Sequence, residues 1–243
     1  MATVREHYDN LLADVYGWMS GEKESVLERN AEFFKSQKIA PQTTKYAVDL
    51  GAGNGFQAIP LARSGFSVLA IDLSAKLLQE LERQAGNLDV RIIEDDLLNF
   101  SSYCDNAPEL IVCIGDTLTH LESVEKVSEL IKKVSEKLVR GGKFILSFRD
   151  YFSTELRGNQ RFIPVRSDED KIFTCFLEYE AETICVHDLL YTRRENKWEF
   201  AVSSYRKLRL DPNWIKDELE QANLEIIFES SNSGMIYLIA QKQ

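Results

Sequence analysis

The stretch Val48-Asp-Leu-Gly-Ala-Gly-Asn-Gly55 places three glycines at alternate positions behind a short apolar run. Gly51, Gly53 and Gly55, with Ala52 between the first two, let the backbone take positive φ and approach a ligand closely. A helix opening behind such a turn favours polar or anionic ligand groups at its N-terminus. About 20 residues later the next apolar run ends in Asp72-Leu73, where an acid can hold both hydroxyls of a ribose. These residues describe a nucleoside-containing ligand lying across the carboxyl ends of parallel strands. A lone GxGxG would as readily be a plain chain turn. Here strand, turn, helix, strand and acid fall in register, which favours the functional reading.

The elements needed to hold these residues can be read from hydrophobic period. Apolar residues at helical spacing predict helices over 5–20 and 24–36. From Tyr46 the pattern alternates, with strands over 46–50, 66–71, 90–94, 110–114 and 143–148 and helices over 55–63, 74–84 and 124–139. Ser74 is the expected N-cap of the second of these helices. After Arg149 the helical period is lost. Four strand-like runs over 161–208, joined by the short polar links SDED, EAET and RENK, predict an antiparallel meander. Asp211-Pro212 opens a last helix, and 224–229 and 235–240 form a hairpin. The expected fold is α/β: a doubly wound, mostly parallel seven-stranded sheet with an inserted antiparallel β-sheet subdomain. The expected division is 1–150 for N-terminal helices and ligand-binding core, 151–208 for the insertion, and 209–243 for the closing helix and hairpin.

Composition narrows the function. The 243 residues carry Lys+Arg 29 against Asp+Glu 39, a formal charge of -10. That balance argues against a nucleic-acid partner, which needs a basic footprint. No apolar run approaches the roughly 20 residues of a membrane-spanning helix, and the first residues do not read as a signal peptide. Cys104, Cys113, Cys175 and Cys185 form no C-x-x-C pair, so neither a structural zinc site nor a redox dithiol is expected. The cytoplasm is the expected compartment.

Asp49 precedes the first glycine, and Phe56 stands where a dinucleotide motif G-x-G-x-x-G has its third glycine. The resulting (D/E)xGxGxG pattern resembles the first motif of the class I S-adenosylmethionine-dependent methyltransferases. In motif style it is nearest to small-molecule N-methyltransferases of the glycine type. The resemblance runs through roughly residues 45–150 and the closing stretch of the chain. It implies S-adenosylmethionine as cofactor and an activated methyl passed to an acceptor by in-line displacement, without a metal. It implies Asp72 on the adenosyl ribose and an acid near the adenine amino group. Asp95 and Asp96 are both available there; the usual register points to Asp96, with Leu97 lining the adenine. Carbonyls around Ile114 and Gly115 would meet the methionine ammonium. The glycine-type pattern C-x-G-N-S-x-x-H-L has Asp116 and Thr117 in place of Asn-Ser here, so the acceptor's identity does not carry over.

Several residues have competing readings. His120, behind the fourth strand, is an acceptor-positioning group or proton remover, or equally a structural histidine. Arg149 stands at a strand's carboxyl end and, with help from His120 or Tyr151, would bind an anionic or zwitterionic acceptor. The expected acceptor is a small polar molecule, a carboxylate-bearing one among the options. Tyr8 could close over the cofactor, whereas Tyr16 reads as packing. His187 reads as structural and His7 as solvated. Two alternatives of other classes remain open: an NAD-dependent oxidoreductase, disfavoured by the missing third glycine, and a noncatalytic nucleoside-binding regulator.

Overall fold

In a computed structural model, residues 2–243 are described. Among these residues eleven strands form two sheets. The larger sheet contains β1 (Tyr46–Leu50), β2 (Ser67–Asp72), β3 (Val90–Glu94), β4 (Leu110–Cys113), β5 (Lys143–Arg149), β10 (Leu224–Asn232) and β11 (Met235–Lys242). Its order is β10-β11-β5-β4-β1-β2-β3, parallel except for β11. The chain reverses direction of travel across the sheet between β1 and β4, the place where open α/β sheets bind ligands.

Successive residues of a strand point to opposite faces, so each central strand feeds two cores. Val48, Leu50, Leu69 and Ile71 pack on one face with α6 (Val124–Lys137) and α7 (Pro212–Gln221). Ala47, Val68 and Ala70 pack on the other with α3 (Lys23–Ser36), α4 (Ala58–Arg63) and α5 (Ala75–Ala85). In α5 the buried positions Leu77, Leu78, Leu81 and Ala85 make one stripe, and Ser74 accepts from the Leu77 N–H at 3.5 Å as its cap. Asp211 likewise accepts from the Asn213 N–H ahead of Pro212 at N1 of α7.

The second sheet is β6 (Phe162–Ser167), β7 (Lys171–Tyr179), β8 (Thr183–Arg194) and β9 (Lys197–Leu208), antiparallel in sequence order. Its inner face carries Leu177, Ile184, Val186 and Tyr205, packed with Tyr151. Leu11, Leu12 and Val15 of the N-terminal helical segment pack on Phe173 of the same face. That segment comprises α1 (Val4–His7), a π-helical turn over Tyr8–Leu12 and α2 (Ala13–Ser20). A continuous helix was expected there; the wider π turn resets the spacing of the side chains that follow. Helix α4 also begins later than expected, at Ala58, because Gly55 at φ 91° and the turn behind it hold the chain out of helix. No described helix is long and apolar enough to cross a membrane.

Candidate functional site

The carboxyl ends of β1, β2 and β4 open into a cavity of about 700 Å³. The N-terminal segment and the end of β9 form its far wall, through Thr3, Tyr8, Tyr16, Lys207 and Leu208. Gly51, Ala52 and Gly53 form its floor. The glycines serve different purposes. A Cβ on Gly51 would lie 2.3 Å from Thr117 Cγ2, and one on Gly55 2.3 Å from Leu81 Cδ1, so both are needed for packing. A Cβ on Gly53 would meet nothing closer than 3.8 Å; there the left-handed φ of 51° and an open backbone face matter.

Asp72 closes the turn. Its Oδ2 accepts from the Gly53 N–H and its Oδ1 from the Ser74 N–H, each at 2.8 Å. Burial raises its pKa, and those backbone donors oppose the rise. Each oxygen keeps further acceptor capacity, and Asp72 lines the cavity. Asp96 Oδ1 accepts from the Leu98 N–H, and Asp96 and Leu97 both line the cavity. Asp95 does not: its carboxylate is taken up by the Asp96 N–H, Asn99 and the Tyr103 hydroxyl. Leu73, Ile114 and Gly115 line the cavity, and the Ile114 carbonyl accepts from Thr117 Oγ1 at 3.2 Å. Asp49 lies beneath the floor, buried, with Oδ2 unpartnered. Burial first, then the Asp72 charge, pushes its pKa up to about 8.

Residues 47–142 match a methyltransferase domain. A glycine/sarcosine N-methyltransferase of Aphanothece halophytica is 27% identical over 122 residues, 49% of this chain and 46% of that protein. The chain spans about half the length of the curated relatives it matches first. Solved folds align almost end to end. The CcbJ methyltransferase of Streptomyces caelestis gives a TM-score of 0.79 at 18% identity, covering 97% of this chain and 98% of that one. CalS10 of Micromonospora echinaspora, an amino pentose methyltransferase solved with the cofactor bound, gives 0.75 at 13%, covering 95% and 96%.

The residues present in this methyltransferase fold fit the class's cofactor. Asp72 keeps acceptor capacity for a diol, the Gly53 backbone is open, and Asn54 lines the cavity with both side-chain polar atoms buried and unpartnered. Such an orphaned amide is costly unless a ligand satisfies it. Asn54 was not singled out from the sequence; its place between Gly53 and Gly55 is the signal that could have found it.

A second group of residues gathers at the far end of the cavity. Asp116, in left-handed conformation at φ 74°, accepts from the Arg149 N–H through Oδ1 and from Lys207 Nζ through Oδ2, at 2.8 and 2.6 Å. Burial alone would raise the Asp116 carboxyl, but Lys207 and the other partners outweigh it and hold the pKa below its ordinary value. Burial would likewise lower the Lys207 ammonium, but Asp116 together with Tyr151, Tyr205 and Tyr8 outweighs it and the pKa stands well above the usual lysine value. His120 stacks on Tyr205 at 5.5 Å and lies 5.9 Å from Tyr8. Burial, then Lys207, pushes His120 down to about 3, so the ring is neutral above that pH, and its Nδ1 has no partner. Burial also raises Tyr8 well above, and Tyr16 to about 12, keeping both phenols neutral.

Of the acceptor-side residues expected from sequence, the structure brings only His120 to the cavity. Arg149 is exposed and does not line the cavity. Tyr151 is buried in the apolar cluster beneath the second sheet. Tyr16, read as packing, lines the cavity as well as stacking on Phe56. His7, expected in solvent, is fully buried; its ring nitrogens meet Asp188 Oδ2 at 2.9 Å and Ser203 Oγ at 2.8 Å, tying α1 to the second sheet. His187 has both ring nitrogens engaged, by Glu178 and Ser204, at 2.7 Å each. Lys207 and Tyr205 were missed, because parity along β9 becomes readable only once the register with β8 is known.

Proposed function

We propose that this protein binds S-adenosylmethionine across the carboxyl ends of β1, β2 and β4 and passes its methyl group to a small polar acceptor by in-line displacement. The supporting observation is one cavity that joins a nucleoside cradle to a second cluster in which neutral His120 and Tyr8 stand beside a lysine already paired with Asp116. When bound, the cofactor supplies a methyl on an electron-poor sulfonium and departs as a neutral thioether. Asp72 and the Gly53 turn hold the ribose, Asp96 and Leu97 the adenine, and the strand end at Ile114 and Gly115 the amino-acid tail. Tyr8 and Tyr16 close the cavity and exclude water. Positioning of this kind supplies roughly 7–11 kcal/mol of the barrier.

The acceptor end favours an uncharged nucleophile over a carboxylate-bearing molecule. Among the described residues, each lysine and arginine lining the cavity is already paired: Arg5 with Glu94, Lys126 with Glu129, Arg206 with Glu180 and Lys207 with Asp116. Among these four none is free to meet an anion. Neutral His120 offers a hydrogen bond that orients an amine or hydroxyl and does not store its proton near neutral pH. The test is release of S-adenosylhomocysteine from a panel of small amines, hydroxyl compounds and amino acids. Turnover is expected with uncharged amines or hydroxyls and to survive Arg149→Ala within about twofold. Turnover confined to amino acids, and lost in Arg149→Ala, would contradict this reading.

A further inference from the structure

We propose that Glu178, Cys185 and His187, on the outer face of the second sheet, form a binding site for a divalent transition-metal ion of the zinc type. One donor atom from each residue lies within 4.8 Å of the other two: a carboxylate oxygen, the thiol sulfur and a ring nitrogen. Strand pairing builds the group. Glu178 of β7 stands directly opposite Cys185 of β8, and His187 follows two residues later on β8, so all three share a face. Leu177, Ile184 and Val186, which alternate with them, pack in the inner cluster and set the three on the outer side. Cys185 is buried, His187 half-buried and Glu178 exposed, so the thiol lies deepest and an ion enters from the carboxylate side. No C-x-x-C signature marks the group, because one ligand comes from the adjacent strand.

The donor set selects the ion. A thiolate and an imidazole together suit zinc and related transition metals, whereas magnesium and calcium take oxygen ligands. On binding, the Cys185 thiol releases its proton to solvent, since the thiolate is the ligand. Thiolate and carboxylate then offset the two charges of the ion. His187 ligates through Nε2, which faces Glu178 Oε2 at 2.7 Å, and carries its proton on Nδ1, 2.7 Å from Ser204 Oγ. The Ser204 contact fixes the ring, as the outer partners of metal-bound histidines do. Bonds of about 2.0–2.3 Å around a tetrahedral ion put ligand atoms roughly 3.3–3.8 Å apart. The glutamate–histidine contact therefore opens slightly, a movement that exposed Glu178 can supply. Three protein ligands leave the fourth position to water. Two cations share this face, and both are engaged. Arg206, opposite Cys185 on β9, meets both oxygens of Glu180 at 2.7 Å, and Arg161 lies over the Phe176 ring at 4.8 Å. An exposed carboxylate–imidazole pair contributes little by itself; the buried thiol beside it completes a three-donor set.

The test is titration of the reduced, chelator-treated full chain with Zn²⁺ by calorimetry and with Co²⁺ by absorption spectroscopy. One ion should bind per chain with a micromolar or tighter dissociation constant, and Co²⁺ should give a sulfur-to-cobalt charge-transfer band in the near ultraviolet. Cys185→Ser should remove that band, and Cys104→Ser, at the half-buried thiol outside the group, should leave it. Glu178→Gln and His187→Gln change side chains with solvent access, so they keep the test independent of how Cys185→Ser folds. Each should weaken Zn²⁺ binding by at least about tenfold. Bound Zn²⁺ should also raise the melting temperature of wild type and not that of these variants. Absence of saturable Zn²⁺ binding, a cobalt band that survives Cys185→Ser, or an affinity indifferent to both Glu178→Gln and His187→Gln would overturn the proposal. None of these readouts depends on methyl transfer, so the site stands or falls apart from the proposed reaction.

Discussion

Asp72→Ala is expected to weaken S-adenosylmethionine binding by about ten- to a hundredfold. A hydrogen bond to a charged acceptor contributes roughly 1.5–3 kcal/mol, and each 1.4 kcal/mol is tenfold in affinity. From sequence alone the substitution should leave folding nearly untouched, because no buried countercharge is stranded. The structure corrects that expectation. Asp72 is the acceptor for the Gly53 and Ser74 N–H groups, and both lose their partner. Each unsatisfied buried donor costs about 1–3 kcal/mol, so the melting temperature should fall together with affinity. Capping of α5 is not at stake, since Ser74 performs it. Calorimetric titration and thermal melts on the same variant separate the roles. Lost stability with unchanged affinity would make Asp72 a turn residue only.

Lys207→Met is expected to destabilise the fold by about 3–5 kcal/mol, because it strands the Asp116 carboxylate in a buried site. Asp116 joins three elements: the end of β4, the Arg149 backbone of β5 and Lys207 of β9. Pairing Lys207→Met with Asp116→Asn should recover part of the loss, since no unpaired charge then remains and asparagine tolerates the left-handed backbone. Acid should act on the same link. The folded-state pKa of Asp116 lies below its ordinary value of 3.8, so its contribution is present above that pH and is lost as pH falls through the depressed value. Urea denaturation of the single and double variants at neutral pH, and of wild type from pH 6 to 3, checks both statements. A single variant as stable as wild type would show that the pair does not hold the second sheet to the core.

The nucleoside cradle was legible because its signals are local. The glycine spacing, Asp72 at a strand end and Ser74 before an amphipathic run all lie within one strand-turn-helix unit. The two-sheet architecture was legible for a related reason: helical period stops after Arg149 and short polar links follow. The acceptor end was not, because it is built by contacts distant in sequence. Lys207 reaches Asp116 across 91 positions, and His7 reaches Asp188 across 181. Arg149 shows the hazard of reading position alone: its place at the end of β5 is as expected, but its side chain is exposed outside the cavity. Asp95 and Asp96 show the converse, where adjacent acids separate once the hydrogen bonds of Asn99 and Tyr103 are known.

The central claim is that this fold holds S-adenosylmethionine in the cleft floored by Gly51–Gly53 and edged by Asp72. Calorimetric titration of the purified chain with S-adenosylmethionine, S-adenosylhomocysteine and NAD tests it most directly. The account predicts saturable one-to-one binding of the two sulfur nucleosides, weakened at least tenfold in Asp72→Ala, and no detectable binding of NAD. Saturable binding of NAD in preference to either sulfur nucleoside, or affinity for them indifferent to Asp72, would contradict it.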